Sequence, residues 1–313
     1  MQHYLVTGGA GFIGSHIVHY LSAQPDCRIT VVDNLLTGST DNIDGIRERV
    51  RFIQEDITNL AALRAIVRDI DYIIHQAALP SVPRSIEDPE KSNWNNINGT
   101  LNVLLAARDG GVQRVIFASS SSVFGANPVL PKTEDLPTIP KSPYGLTKLT
   151  GEHYCRLFHD IYGLETVVLR YFNVFGPRQN PNSQYSAVIP IFIKGILQGK
   201  PVTIHGDGEQ SRDFTYVENV VQANILACHA PDAAGKVFHV GCGQRLSINA
   251  LFTLLCELTG RTVDAIHTPS RSGDVRHSHA DITAAGKILS YRPQIDVKTG
   301  LQRTLDYYSS QMQ

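Results

Sequence analysis

The stretch Gly8-Gly9-Ala10-Gly11-Phe12-Ile13-Gly14 follows an apolar run, Tyr4 to Thr7, and opens a helical pattern over 11–22. Few folds tolerate three glycines in that register. Gly8 permits a tight turn out of a strand, Gly11 lets a ligand approach the backbone, and Gly14 lets the helix pack closely on the strand. The helix N-terminus then presents unpaired N–H groups to the turn, where a phosphate is favoured. A glycine fingerprint recurs by chance, but here the strand before it and the helix after it supply the context that a bound dinucleotide requires.

Downstream, apolar runs bounded by turn residues alternate with helical patterns: Tyr4 to Thr7, Ile29 to Asp33, Val50 to Gln54, Tyr72 to His75, Arg114 to Ala118 and Thr166 to Arg170. Helices are predicted near 11–22, 59–68, 89–109 and 142–162. This alternation predicts an α/β fold of the Rossmann type, a doubly wound parallel sheet. After Arg170 the pattern gives way to a Gly/Pro/Asn-rich stretch, Gly176 to Ser183, which reads as a long loop between lobes. We therefore expect a dinucleotide-binding domain over 1–172 and a smaller C-terminal substrate-binding lobe over 173–313. The first is rejoined by parts of 214–240, where Phe214 to Ala230 reads as strand end plus helix and Val237 to Val240 as a strand. Residues 126–140 carry no readable pattern.

The net charge of -1, from 28 Lys+Arg against 29 Asp+Glu, gives no electrostatic case for nucleic acid or an anionic membrane as partner. Cys27, Cys155, Cys228, Cys242 and Cys256 are scattered and form no C-x-x-C pair, which predicts buried free thiols, no disulfide framework and no metal site. No apolar stretch approaches the roughly 20 residues that span a bilayer, and residues 1–6 lead directly into a strand. The expectation is a soluble, cytoplasmic enzyme acting on a small molecule.

Asp33 ends the second strand, where a carboxylate can accept both ribose hydroxyls of an adenosine and would repel a 2'-phosphate. That favours NAD over NADP. Asp56 and Ile57, after the third strand, either bracket the adenine or, for the aspartate, cap a helix. Tyr144 and Lys148 are one helical turn apart and share a face, so the ammonium can favour the phenolate and make Tyr144 a general base. A tyrosine and a lysine at that spacing are, taken alone, more often a core anchor and a solvated charge. Ser119 to Ser122 follow the strand Arg114 to Ala118 at the carboxyl end of the sheet, where ligands of such folds bind. Ser120 is the expected catalytic hydroxyl; the others can equally satisfy their own backbone.

With these residues in place, the chain resembles the extended short-chain dehydrogenase/reductase family, and specifically the UDP-hexose 4-epimerases. The likeness runs through His75 to Leu79, Ser81 to Ile86, Arg170 to Gly176, Gly206 to Phe214 and Arg271 to Ser278, and these segments look closest to the UDP-N-acetylglucosamine 4-epimerase branch. The resemblance implies a cofactor site that includes Phe12, Ile13, Asn34, Gly38, Gln76, Ala77, Ala78, Asn95 and Phe172. It implies a UDP-sugar site with Pro80, Ser120, Ser121, Ala187 and Val188, with Asn173 at the nucleotide sugar, Arg212 and Arg271 at the diphosphate, and Asp274 at the uridine ribose. Arginine forks suit a diphosphate, although Arg212 and Arg271 can equally be ion-pair partners of Asp213 and Asp274. The helices near 89–109 and 142–162 resemble those that pair in the family's homodimers; Leu101, Val103, Leu104, Leu157 and Phe158 can also simply face the core.

Related dehydratases and decarboxylases carry an acidic residue in the serine run, where Ser121-Ser122-Val123-Phe124-Gly125 has none, so the resemblance implies reversible oxidation at sugar C4 and hence epimerisation. The residue matching Ser278 lies beside the sugar in these enzymes, and an aromatic there resembles the form restricted to plain hexoses. Serine, with the small Ala187, implies room for a 2-acetamido group and UDP-GlcNAc/UDP-GalNAc as substrates. Pro80 departs from the small residue or lysine of the relatives, and Phe124 from a tyrosine. UDP-glucuronate is the alternative, because Arg84 or Arg276 could meet a carboxylate. A non-catalytic NAD-binding regulator is the alternative of another class.

Overall fold

The computed structural model describes residues 1–125, 127–180, 187–270 and 275–311. Its first part runs β1 (Gln2–Thr7), α1 (Phe12–Ser22), β2 (Cys27–Asp33), β3 (Arg51–Gln54), α2 (Leu60–Ile66), β4 (Tyr72–His75), α3 (Val82–Glu87), α4 (Pro89–Asn93), α5 (Gly99–Gly110), β5 (Arg114–Ser120), α6 (Pro143–Tyr162) and β6 (Glu165–Tyr171). There follow β7 (Val174–Phe175), α7 (Val188–Leu197), β8 (Val202–His205), β9 (Ser211–Arg212), β10 (Thr215–Tyr216), α8 (Val217–His229), β11 (Lys236–Val240), β12 (Leu246–Ser247), α9 (Ile248–Thr259), β13 (Ala265–Thr268) and α10 (Val297–Ser310).

Seven strands pair in the order β11-β6-β5-β4-β1-β2-β3, all parallel. A parallel sheet needs helical crossovers on its faces, and strands buried on both sides read as continuous apolar runs. That is the pattern of Leu5-Val6 and Val31-Val32, each wholly buried. One face packs on Ile17, Val18 and Leu21 of α1 with Val220, Ala223 and Ala227 of α8. The other packs on Leu63 of α2, Val103 and Leu104 of α5, and Cys155 and Phe158 of α6. Strand order reverses between β1 and β4, so the loops leaving their carboxyl ends diverge and open a crevice there. A separate core of α7, α9 and α10 with β8 gathers Phe192, Ile196, Ile204, Leu251, Leu255 and Leu301. Short pairs of β7 with β10 and β9 with β12 link the two regions.

Two expectations are corrected. The single helix over 89–109 is divided into α4 and α5 by a π segment, Trp94–Asn98. There Asn96 is carried inside, accepting from Leu79 N (2.7 Å) and donating to Leu79 O (3.1 Å) and Thr147 Oγ1 (3.1 Å), polar pairings with no period to read. The cysteines are free, but Cys155 and Cys228 alone among them are buried, the other three being half-buried. Of the apolar residues on α5 and α6, Val103, Leu104 and Phe158 belong to the core, while Leu157 is exposed beside Leu146 and Ile161. The stretch 127–140 becomes a strap: Lys132 pairs in parallel with Ala280, donating from its N to His279 O (2.7 Å) and accepting at its O from Asp281 N (2.7 Å). Among the described residues, no helix is long and apolar enough to cross a membrane.

The return of the chain to the sheet at β11 is fastened by Arg114. Its Nη1 donates to the carbonyls of Ala227 (2.8 Å), Cys228 (3.1 Å) and Ala230 (2.8 Å), closing the end of α8, while Nη2 pairs with Glu165 at 2.6 Å. Arg114→Met should remove the side-chain donor from those buried carbonyls, of which only Ala230 O keeps a main-chain one from Ala233 N (3.4 Å), and cost about 2–4 kcal/mol, read as a lower urea midpoint at unchanged slope.

Candidate active site

At the crevice, Gly8 adopts φ +68°, and a Cβ there would lie 2.7 Å from Ala77 N; a Cβ on Gly14 would lie 2.1 Å from Gly8 O. The glycines thus allow β1, α1 and the end of β4 to touch main chain to main chain. Helix α1 has Gly11 at its N-cap, with no side chain capping it and no acidic residue in its first turn. A diphosphate at that end meets main-chain donors and no like charge. Asp33 is buried, and its carboxylate accepts from Ala10 N (3.0 Å) and Leu35 N (2.8 Å), so it braces the glycine turn as well as facing the crevice. Burial pushes its carboxyl above the usual range, against the pull of these two bonds.

The cleft has a volume of about 220 Å³. Of the residues expected at a cofactor, Gly8, Gly11, Phe12, Ile13, Asp33, Asn34, Ile57, Gln76, Ala77, Ala78, Asn95, Tyr144 and Lys148 line it, and Pro80 does too. Gly38 instead backs the turn, where a Cβ would lie 2.9 Å from Ala10 O. Asp56 is absent from the residues that line the cleft and does not cap α2. Its carboxylate accepts from Asn34 Nδ2 (2.7 Å) and Thr58 N (2.8 Å), while Asn59 caps α2 and the neighbouring Glu55 lines the cleft. The Phe172 side chain is wholly buried against His239 (5.2 Å between ring centroids), and Tyr171 lines the cleft in its place. Sequence reasoning missed Glu55, Leu79, Ala118 and Tyr171. Each lies at or just beyond the carboxyl end of a sheet strand, so the switch-point rule applied strand by strand could have found them.

At the inner end of the cleft, Ser142 caps α6 by accepting from Gly145 N (3.1 Å), and Pro143 starts the helix. The next residue, Tyr144, is further fixed by its N donating to Ser85 Oγ (3.0 Å). Burial pushes its phenol above the ordinary value of 10, and a hydrogen bond with the Ser120 side chain opposes that rise. Lys148 is buried, donates to Ala118 O at 2.8 Å, and holds its Nζ 6.0 Å from the Tyr144 ring centroid. Burial lowers its ammonium to about 8, with Cys155 and Glu152 opposing. The ammonium turns to a main-chain carbonyl, and desolvation of the phenol prevails. Ser119 lines the cleft but its hydroxyl donates to Glu152, whereas the Ser120 hydroxyl accepts from Ser122 N (3.2 Å) and opposes the rise of the phenol. Ser121 opens the short turn Ser121–Phe124.

A second cavity of about 270 Å³ is lined by Asn173, Ala187, Val188 and Arg212, with Thr203, His205, Gln210 and Phe214 not foreseen. Asn173, at φ +34°, donates from Nδ2 to Asp213 O (3.0 Å) and approaches Ser278 Oγ (3.4 Å). The Asp213 carboxylate is occupied by three main-chain donors, Cys242 N (2.8 Å), Gly243 N (3.1 Å) and Ala280 N (3.1 Å), in place of an ion pair with Arg212. Arg271 and Asp274 lie outside the described residues. Among the described residues, no cluster of His, Cys, Asp or Glu is arranged to hold a metal ion.

Residues 4–241 match the model of the NAD dependent epimerase/dehydratase family. The chain belongs to that family. It is 35% identical to the UDP-glucose 4-epimerase of Mycolicibacterium smegmatis over 99% of both chains. Among solved structures, it is similar to the UDP-N-acetylglucosamine 4-epimerase of Methanobrevibacter ruminantium in complex with UDP-N-acetylmuramic acid (TM-score 0.95, 42% identity, 99% of each chain covered). The UDP-glucuronic acid 4-epimerase of Bacillus cereus, in complex with UDP-glucuronic acid and NAD, superimposes at TM-score 0.93 with 35% identity, covering 99% of this chain and 100% of that one.

The family's cofactor is NAD, and the residues present fit it. The glycine cradle leaves no space for side chains where the pyrophosphate must approach, and Asp33 sets a carboxylate at the end of β2. Gly14→Ala should push α1 off the Gly8 carbonyl and weaken NAD retention by about tenfold or more, since a backbone contact at 2.1 Å must open. The NAD released on denaturing the purified protein, assayed per mole of chain, checks this.

Proposed function

We propose that this chain is a UDP-sugar 4-epimerase and that its substrates are UDP-N-acetylglucosamine and UDP-N-acetylgalactosamine. The observation that carries the first part is the placement of Tyr144 and Lys148, one helical turn apart, in the wall of the cleft that Gly8, Gly11 and Asp33 also line. The 35% and 42% identical epimerases, matched end to end, support the same reading. Bound NAD supplies reversible oxidation of the C4 carbinol.

The residues divide the remaining work. Tyr144 takes the proton of the sugar 4-hydroxyl through or beside Ser120 and later returns it, in a pocket where burial raises the phenol's affinity for that proton. The Lys148 ammonium, about 6 Å away and largely shielded from water, favours the phenolate form when the proton is taken. Arg212 offers a guanidinium for the diphosphate, so that the sugar can present either face without leaving. Ser121 and Ser122 place no carboxyl group beside Ser120, and elimination therefore lacks a proton acceptor of its own.

Support for the acetylated substrates comes from the second cavity. Ala187 lines it, and Ser278 lies beside Asn173; both side chains are small enough to leave room for an acetamido group. The glucuronate reading has less to stand on. Arg276 pairs with Asp207 at 2.9 Å, and Arg84 lines a hollow with Leu36, Leu79 and Lys91 on the cofactor side.

Two outcomes are expected. Tyr144→Phe should lose about 10²–10⁴-fold in kcat, the usual yield of a general base, while retaining NAD and binding UDP as tightly as the parent. Undiminished turnover in that variant would sink the assignment of the base and favour a non-catalytic role for the fold's tyrosine. Ser278→Tyr should depress kcat/KM for UDP-GlcNAc at least about tenfold more than for UDP-glucose, a difference of the size that pocket sterics provide. Product chromatography on both substrates reads the ratio, and equal losses, or turnover of UDP-glucuronate alone in the parent enzyme, would overturn the acetamido gate.

A further inference from the structure

Behind the cleft lies a pair of buried charges that the proposed chemistry does not touch. Glu152 is on α6, one turn beyond Lys148 and two beyond Tyr144, and is 6% exposed; Arg170 is on β6 and is 4% exposed. The guanidinium forks onto the carboxylate, Nε to Oε1 at 2.9 Å and Nη2 to Oε2 at 2.7 Å. A third element joins them, because the Ser119 hydroxyl of β5 donates to Oε1 at 2.5 Å. Arg170 also donates from Nη1 to Glu134 O (3.3 Å) and lies over the Phe124 ring, 4.9 Å from its centroid. One carboxylate thus ties the helix of Tyr144 and Lys148 to the residue immediately before Ser120, and to the strand that ends in cleft-lining Tyr171.

Stability is a poor explanation for such a pair. Desolvating two ions offsets most of what their attraction returns, and apolar residues of similar volume commonly hold a core at least as well. What apolar packing cannot do is fix register. A bidentate fork plus a hydroxyl bond allows one placement of α6 along β5 and β6, whereas methyl groups allow several. The alignment of Ser120 with Tyr144 is set across the same helix and strand, one residue further along β5. Misplacement of about 1 Å in such a contact costs on the order of 10²-fold in rate.

We propose that the Glu152–Arg170 pair, acting through Ser119, is the positioning device that sets the alignment of Ser120 with Tyr144 and the electrostatic surroundings of Lys148. The proposal rests on the assignment of Tyr144, Lys148 and Ser120 to the epimerase chemistry. Around the Lys148 ammonium stand Tyr144, Glu152 and Cys155 on α6, the Ala118 carbonyl and the Phe117 ring on β5, and His75 on β4. Of these, Glu152 and Cys155 favour the charged form against burial. Removing Glu152 therefore lets Lys148 lose its proton at lower pH, and the alkaline limb of kcat moves down with it.

The test uses the NAD-loaded holoenzyme and two variants. Ser119→Ala cuts only the link from the ion pair to β5, and the double substitution Glu152→Met with Arg170→Met removes both charges without leaving either unpaired. Expected for Ser119→Ala is a fall in kcat of about tenfold, with KM for UDP-GlcNAc and NAD content unchanged. Expected for the double variant is a fall of about 30-fold or more, again at unchanged KM, with the alkaline limb of the pH profile shifted to lower pH. Parent-like kcat in Ser119→Ala overturns the proposal. So does a double variant with the parent pH profile, or one in which KM, NAD content and kcat decline together, as a general loosening of the fold would produce. Tyr144→Phe measured alongside keeps the two readings apart: activity there defeats the chemical assignment, whereas inactivity there with parent-like kcat in both variants defeats this inference alone.

Discussion

The contact on which most of the architecture depends is the one between the main chains of Gly8 and Ala77. With Gly8 at φ +68° and no room for a Cβ against Ala77 N, the turn after β1 and the end of β4 close on each other at the point where strand order reverses. Parallel strands send their connections to the same end, and at a reversal those connections leave in opposite directions. The crevice is therefore a product of topology, and the glycines determine how closely a ligand's phosphates can approach the bottom of it. Everything else in the cleft is arranged around that fixed floor, including Asp33, which holds the turn through Ala10 N while facing the opening.

Burial controls the charge state of the groups beneath the floor. His75 sits between Thr7 Oγ1 (2.7 Å) and Thr100 Oγ1 (3.1 Å) and is pushed down to about 3 by burial, with Lys148 adding to the effect. It is neutral at physiological pH and acts as a rigid spacer. Tyr144 and Lys148 are driven in opposite directions by the same desolvation, the phenol up and the ammonium down, so each is held nearer its neutral form than in water. A proton on either group is then held where no bulk solvent stabilises the charge. Such a site depends on fixed partners, Ser120 at the phenol and Ala118 O at the ammonium, to set which way it moves.

The parts of this fold that could be read from the sequence share a short-range cause. Tyr72–His75 is found at its expected limits because an apolar run flanked by turn residues has one way to sit in a parallel sheet, and Lys236–Val240 rejoins the sheet because its pattern repeats that of the earlier strands. What could not be read depends on partners distant in sequence. Asn96 owes the π segment's inward turn to Leu79 and Thr147, and Lys132 owes its burial to Ala280, nearly 150 residues on. The choice between Tyr171 and Phe172 at the cleft turns on one residue of register at the end of β6, which composition does not encode. Asp56 shows the same limit for a polar group, since nothing in its neighbours says that Asn34, and no helix, takes its carboxylate.

The two cavities are held together by elements too short to stand alone. β7 and β10 pair over two residues, as do β9 and β12, yet between them they carry Arg212 and flank Asn173 and Asp213. A two-residue ladder has little strength of its own. Its placement is enforced from outside, by the Asp213 carboxylate gathering the main chain at Cys242, Gly243 and Ala280, and by the strap at Lys132 gripping the chain on either side of Ala280. Ser278 lies two residues before Ala280 and hydrogen-bonds from its N to Ser211 O at 3.0 Å, so the wall facing Asn173 is fixed by polar contacts to both regions of the molecule. Side chains at that wall can then change in bulk without moving the backbone that carries them. Bulk can therefore change at Ser278 while Tyr144, Lys148 and Ser120 stay where the sheet puts them.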